Sequence, residues 1–183
     1  VLWKGDTESD MLLNLHSHFS LRYGTLSPSQ LAAGMQHYGY DTAVLTDINN
    51  SSACLQFVRE CQKAGLNGLA GMEYRNGHEL LYVGIAKDRE GFRELNEHMT
   101  RANREKSPLP KRAPEWNHAF VIYPFGSIEA DRLKENEYIG IRPHEVNRVI
   151  RLSEKQRARF VLLSPVSFAP GQYPLHRQLQ AID

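Results

Sequence analysis

Apolar positions along this chain switch between two periods. Seven short runs are almost continuously apolar: Met11–Leu15, Thr42–Thr46, Leu69–Glu73, Leu80–Ala86, Ala119–Tyr123, Tyr138–Ile141 and Phe160–Ser164. They are rich in Val, Leu, Ile and Tyr, as strands buried on both faces are. The stretches between them carry helical periodicity and helical punctuation. Ser27 is placed to cap a helix that starts at Pro28, with Leu31, Met35 and Tyr38 as its apolar stripe and Gly39 as its stop. Ser52 to Ala64 repeats the logic, with Leu55 and Val58 inside and Gly65 at the end. Further helices are predicted over Glu90–Asn103 and Pro143–Ala158, and from about Tyr173 onward. Strand–helix alternation of this kind predicts an α/β fold with a mainly parallel sheet, open or closed into a barrel.

Two stretches fall outside this rhythm. Val1 to Asp10 is polar and aperiodic and reads as a disordered tail, which leaves residues 11–183 as the domain. Lys106 to Pro114 holds three prolines and three basic residues and reads as an exposed loop, a solvated linker rather than a nucleic-acid contact.

Composition narrows the class. A chain of 183 residues supports one domain with a sizeable core. The formal net charge of +1 lacks the clustered basic excess of a dedicated nucleic-acid-binding module. Cys54 and Cys61 lie two helical turns apart, roughly 10 Å, beyond disulfide reach, and read as buried thiols of a reducing compartment. No secretory signal pattern and no span of ~20 apolar residues is present, so a soluble, cytoplasmic protein with no membrane partner is expected.

In parallel α/β folds, chemistry gathers at the carboxyl ends of the strands. Those positions here are Asn14-Leu15-His16-Ser17-His18, Thr46-Asp47 and Met72-Glu73. His16, His18, Asp47 and Glu73 are therefore the candidate ligands for a divalent metal. Histidines at strand ends also serve as hydrogen-bonded structural groups, and residue types alone leave both roles open. No Gly-rich phosphate loop or GxSxG elbow occurs. His78, His98, His118, His144 and His176 are scattered and read as surface or hydrogen-bonded groups, and Trp3 and Trp116 as packing or loop residues.

Four segments together resemble a known family. Leu13 to Ser27 is similar to the opening HLHVHSDYSLLDGALS of the PHP (polymerase and histidinol phosphatase) domain of bacterial DNA polymerase III alpha subunits. Ala43-Val-Leu-Thr-Asp47 resembles its ALTDH. Phe57 through Lys63-Ala-Gly65 to Gly71-Met-Glu73 resembles its F…KAGIKPIIGCE, and Ile85 to Leu95 its LLAKNEEGYRNL. The resemblance implies a distorted (β/α)7 barrel, here shortened at its C-terminal side. It also implies a site of up to three metals held by about nine His, Asp, Glu or Cys side chains.

Against that pattern, Tyr23 stands at a ligand Asp, Ile48 and Leu81 at ligand histidines, and Ser164-Pro-Val-Ser167 at a late Asp and His. Two registers fit the first motif. One places His16 and His18 at its metal histidines; the gap-free one places Asn14 and His16 there, with His18 at an Asp. The remnant His16, His18, Asp47 and Glu73 would hold at most one weakly bound zinc or manganese ion, because clustered cations need more anionic ligands. The resemblance thus implies a PHP domain without catalysis of its own, supporting the core of a larger DNA-directed DNA polymerase. Its partner would be the rest of that chain, and DNA would be met only through it. The competing expectation is a metal-dependent phosphoesterase or 3′–5′ exonuclease built on the same four residues.

Overall fold

The structure, a computed structural model, describes residues 11–181. The tail expected at residues 1–10, with Trp3 within it, lies outside the described residues. Seven strands form one sheet in sequence order: β1 (Met11–Leu15), β2 (Thr42–Leu45), β3 (Asn67–Asn76), β4 (Glu79–Ala86), β5 (Ala119–Pro124), β6 (Glu137–Ile141) and β7 (Phe160–Leu162). The helices are α1 (Pro28–Tyr38), α2 (Cys54–Lys63), α3 (Arg89–Glu105), α4 (Val146–Val149), α5 (Glu154–Arg157) and α6 (Tyr173–Gln180).

Beyond β7 the chain crosses to β1. Val166 N–H donates to the Asn14 carbonyl and His16 N–H to the Val166 carbonyl, both at 2.9 Å. The sheet is thereby bent into a nearly closed barrel. Val44, Val83, Ile85, Ile122 and Leu163 form one buried apolar cluster between its strands. A second cluster joins α1 and α2 to β1 and β2 through Leu31, Met35, Leu45, Phe57 and Cys61. A third packs Leu95 of α3 and Trp116 against Tyr74, Tyr82 and Tyr123.

The sheet departs from pure strand–helix alternation at one place. β4 is antiparallel to both neighbours, whereas β1–β2, β2–β3, β5–β6 and β6–β7 are all parallel. Asn76 pairs with Glu79, leaving a loop of Gly77 and His78 only, with Gly77 at φ 58°. A parallel return needs a dozen or more residues, so two residues dictate a hairpin.

Side-chain assignments shift in four places. Leu55, expected inside, is 63% exposed, and α2 buries Cys54, Phe57 and Cys61 instead. Tyr38, expected on the α1 stripe, faces solvent. The single helix expected over Pro143–Ala158 is broken into α4 and α5. Ser153 takes an extended backbone and caps α5, exchanging hydrogen bonds with Gln156. The 106–114 stretch is the expected loop and is largely exposed, but it is anchored rather than solvated throughout. Leu109 and Ala113 are buried under it, and the Asn76 amide pairs with the Leu109 backbone at 2.8 and 2.9 Å.

Burial pushes the Cys54 thiol up to about 12 and the Cys61 thiol to about 11, so neither is a reactive thiolate. Among the described residues no helix is long and apolar enough to cross a membrane.

The revised α2 stripe yields a direct check. Phe57→Ala should cost about 3–5 kcal/mol, as large-to-small changes at a filled core site do. Leu55→Ala should stay within about 0.5 kcal/mol. Urea denaturation of the two variants reads the difference; equal losses would put Leu55 back in the core.

Candidate functional site

The ends of β1, β2 and β3 meet at one rim of the barrel. β2 continues past Leu45 far enough for Ile48 to pair with Glu73, and Asn49 N–H reaches the Glu73 carbonyl at 2.8 Å. Glu73 therefore sits beside the loop that follows β1 and the loop that follows β2. Its side chain is fully buried.

A buried carboxylate must find donors within the protein, and Glu73 finds several. Asn14 Nδ2 donates to its Oε2 at 3.0 Å, and His16 Nε2 lies 3.1 Å from the same oxygen. Arg75 Nε donates to Oε1. Thr46 Oγ1 donates to Asn14 Oδ1 at 2.8 Å, which fixes the orientation of that amide. On the far side of the His16 ring, Nδ1 lies 3.0 Å from Ser167 Oγ. Burial alone pushes the Glu73 carboxyl up, but His16, Arg75 and Asn14 outweigh it and hold the group down at about 2.

Asp47 is equally buried but faces another way. Its Oδ1 accepts from Ser17 N–H at 2.7 Å and Ser20 Oγ at 2.6 Å, and its Oδ2 from Ser17 Oγ at 2.6 Å. It thus organises the turn after β1. Gly24 closes that turn, because a Cβ there would fall 1.8 Å from the Ser17 carbonyl oxygen.

The expected quartet is accordingly divided. His16 and Glu73 touch. Asp47 lies at the same rim but spends both oxygens on Ser17 and Ser20. His18, expected with them, turns to solvent and stacks on Phe19 at 4.7 Å between ring centroids. Asn14 and His16 are the pair that faces Glu73, which is the arrangement of the gap-free register. His16 and His18 follow each other with a turn in place of a strand, so they do not share a face.

The residues that sequence reasoning missed are Arg75, Ser17, Ser20, Thr46 and Ser167. A signal existed for Arg75. It follows Glu73 by two residues in a strand, and that spacing puts both side chains on one face.

A family model for the PHP domain matches residues 13–128, more than half of the chain. The chain belongs to the PHP domain family. An error-prone DNA polymerase from Symbiobacterium thermophilum is 27% identical over 189 residues, covering 92% of this chain and 17% of its own length. The DNA polymerase III subunit alpha of Ureaplasma parvum is 32% identical over 83 residues, covering 45% and 8%. This PHP domain therefore spans less than a fifth of either curated relative. Among solved structures, an amidohydrolase from Chromobacterium violaceum, with bound sulfate and no metal, superposes with a TM-score of 0.55 at 13% identity. It covers 94% of this chain and 96% of its own, a likeness of fold.

PHP domains are expected to bind clustered metals, and the donors here do not fit such a cluster. Among the described residues no three His, Cys, Asp or Glu side chains come together in a metal-binding group. No buried side-chain nitrogen or oxygen among them lacks a hydrogen-bond partner either. Leu81 is packed in the apolar cluster under α3. Ser167, where the resemblance implies a ligand histidine, is hydrogen-bonded to His16. The guanidinium of Arg75 stands against the carboxylate that a cation would need.

The depressed Glu73 value carries a pH dependence with a definite sign. The folded value lies below the ~4.3 of a free glutamate, so its contribution is complete above that pH and is lost as pH falls toward 2. A difference of this size is worth about 3 kcal/mol. Urea midpoints taken from about pH 6 down to about pH 3 should fall steeply in the wild type and less steeply in Glu73→Gln. Parallel slopes would show that Glu73 is not the group being protonated.

Proposed function

We propose that this PHP domain is a non-catalytic, structural part of a larger DNA polymerase III alpha-like chain, which works in the cytoplasm and carries the polymerase core elsewhere in its sequence. The observation behind the reading is the Glu73 carboxylate, whose two oxygens already hold Asn14, His16 and Arg75. Hydrolysis of a phosphoester by a metal site needs an ion to lower the pKa of water and to stabilise charge on the phosphate. Buried carboxylates already engaged by the chain's own donors support a domain that does not carry out that chemistry. The similarity to two DNA polymerases supports placing the domain within such a chain, with the rest of that chain as its partner and DNA met only through it.

Exposed apolar side chains support a docking role as well. Tyr173 and Leu175 of α6, Ile150 after α4 and Leu162 of β7 are between 45% and 59% exposed. Leu179 is half-buried. Side chains of this kind suit contact with another part of a polymerase.

The test is a nuclease and phosphomonoesterase assay with added manganese or zinc, run beside a His16→Ala control. The expected result is no turnover above that control. Metal-dependent turnover that disappears in His16→Ala would establish the phosphoesterase or exonuclease reading instead.

A further inference from the structure

A carboxylate with no solvent contact is costly unless a cation or a full set of donors offsets it. Glu73 has a cation, and it comes from its own strand. Arg75 donates through Nε to Oε1 and leaves Oε2 to Asn14 and His16. Its side chain is only 15% exposed.

Arg75 is held from two further directions. Asn49 pins its backbone: Arg75 N–H donates to Asn49 Oδ1 and Asn49 Nδ2 donates to the Arg75 carbonyl, both at 2.9 Å. The guanidinium carbon lies 4.7 Å from the centroid of the Tyr23 ring, a cation–π arrangement. Tyr23 is itself anchored, with its hydroxyl 3.2 Å from His78 Nδ1 and its carbonyl accepting from His176 Nδ1 at 2.7 Å. Tyr23 is also the residue that stands where the family resemblance implies a metal-binding aspartate. The ring that replaces a ligand for a metal is thus the ring that faces the guanidinium.

We propose that Arg75 is the resident cation of this rim, occupying the electrostatic role of a metal, and that Tyr23 and Arg75 form one linked exchange that converts an ion-binding site into a self-contained ion pair. The inference rests on the structural reading of the domain and deepens it. It assigns Arg75 as a positioning residue for the β1, β2 and β3 ends, and it makes the fold independent of divalent ions. Its converse is that removing the guanidinium and replacing Tyr23 by a carboxylate re-creates a site for one divalent ion, with Glu73, His16 and the introduced carboxylate as ligands.

Thermal melting of five chains tests this: wild type, Arg75→Met, Glu73→Gln, the pair Glu73→Gln/Arg75→Met, and the pair Tyr23→Asp/Arg75→Met. Each is measured with chelator, with manganese and with zinc. Wild type should melt at one temperature in all three conditions. Arg75→Met should melt roughly 5–10 °C lower, as loss of a buried partner predicts for a domain of this size. Adding Glu73→Gln should restore part of that loss, because the stranded charge is then gone. Tyr23→Asp/Arg75→Met should be raised by manganese or zinc relative to chelator. If Arg75→Met alone does not fold, the charge-free pair still should, and it carries the comparison with Glu73→Gln. An Arg75→Met chain that melts with the wild type, or a wild type destabilised by chelator, overturns the inference. So does failure of the charge-free pair to fold. Phosphoesterase turnover by the wild type would instead strike at the structural reading, so the two failures are distinguishable.

Discussion

A carboxylate sealed from water must satisfy its lone pairs with groups the chain can bring to it, and Glu73 draws those groups from separate stretches. Asn14 and His16 come from the end of β1, and Arg75 from its own strand. Behind them stand Thr46 from the end of β2 and Ser167 from the segment that closes the barrel. Removing any of these donors would leave a buried charge or a buried polar atom without a partner, which costs more than the bond itself contributes. The register of the first strands and the closure of the sheet onto β1 are both tied to this one group.

Asp47 does the same for the turn that follows β1. Its three hydrogen bonds from Ser17 and Ser20 fix the path of the chain before it reaches Gly24 and the capped start of α1. The two acids lie at the same strand ends and serve different partners. A multi-metal site would require them to point at shared ions; here each is turned toward donors of the protein. At this rim both buried carboxylates are met by hydrogen-bond donors of the chain itself.

The architecture was largely legible in the sequence because it is written in local signals. Near-continuous apolar runs marked all seven strands, and Ser27, Pro28 and Gly39 marked α1 at both ends. The β3–β4 hairpin was written there too, in Asn76-Gly77, but a search for alternating strands and helices passes over a two-residue turn. Leu55 was misplaced because α2 presents apolar residues on more than one side, and only packing decides that Phe57 and Cys61 go in. The site was less legible for a physical reason. The guanidinium that meets Glu73 lies only two residues away, but Tyr23 and Asn49, which hold Arg75 in place, are distant from it in sequence. His18 shows the converse. It forms the most conspicuous motif with His16, yet the strand ends between them and the two rings part.

That the protein itself balances the charges of this rim is tested most directly by elemental analysis. The chain is purified from medium supplemented with zinc and manganese, without chelator. Far less than one divalent ion per chain should remain after gel filtration. One or more ions retained per chain, and lost on Glu73→Gln, would contradict an internally balanced rim.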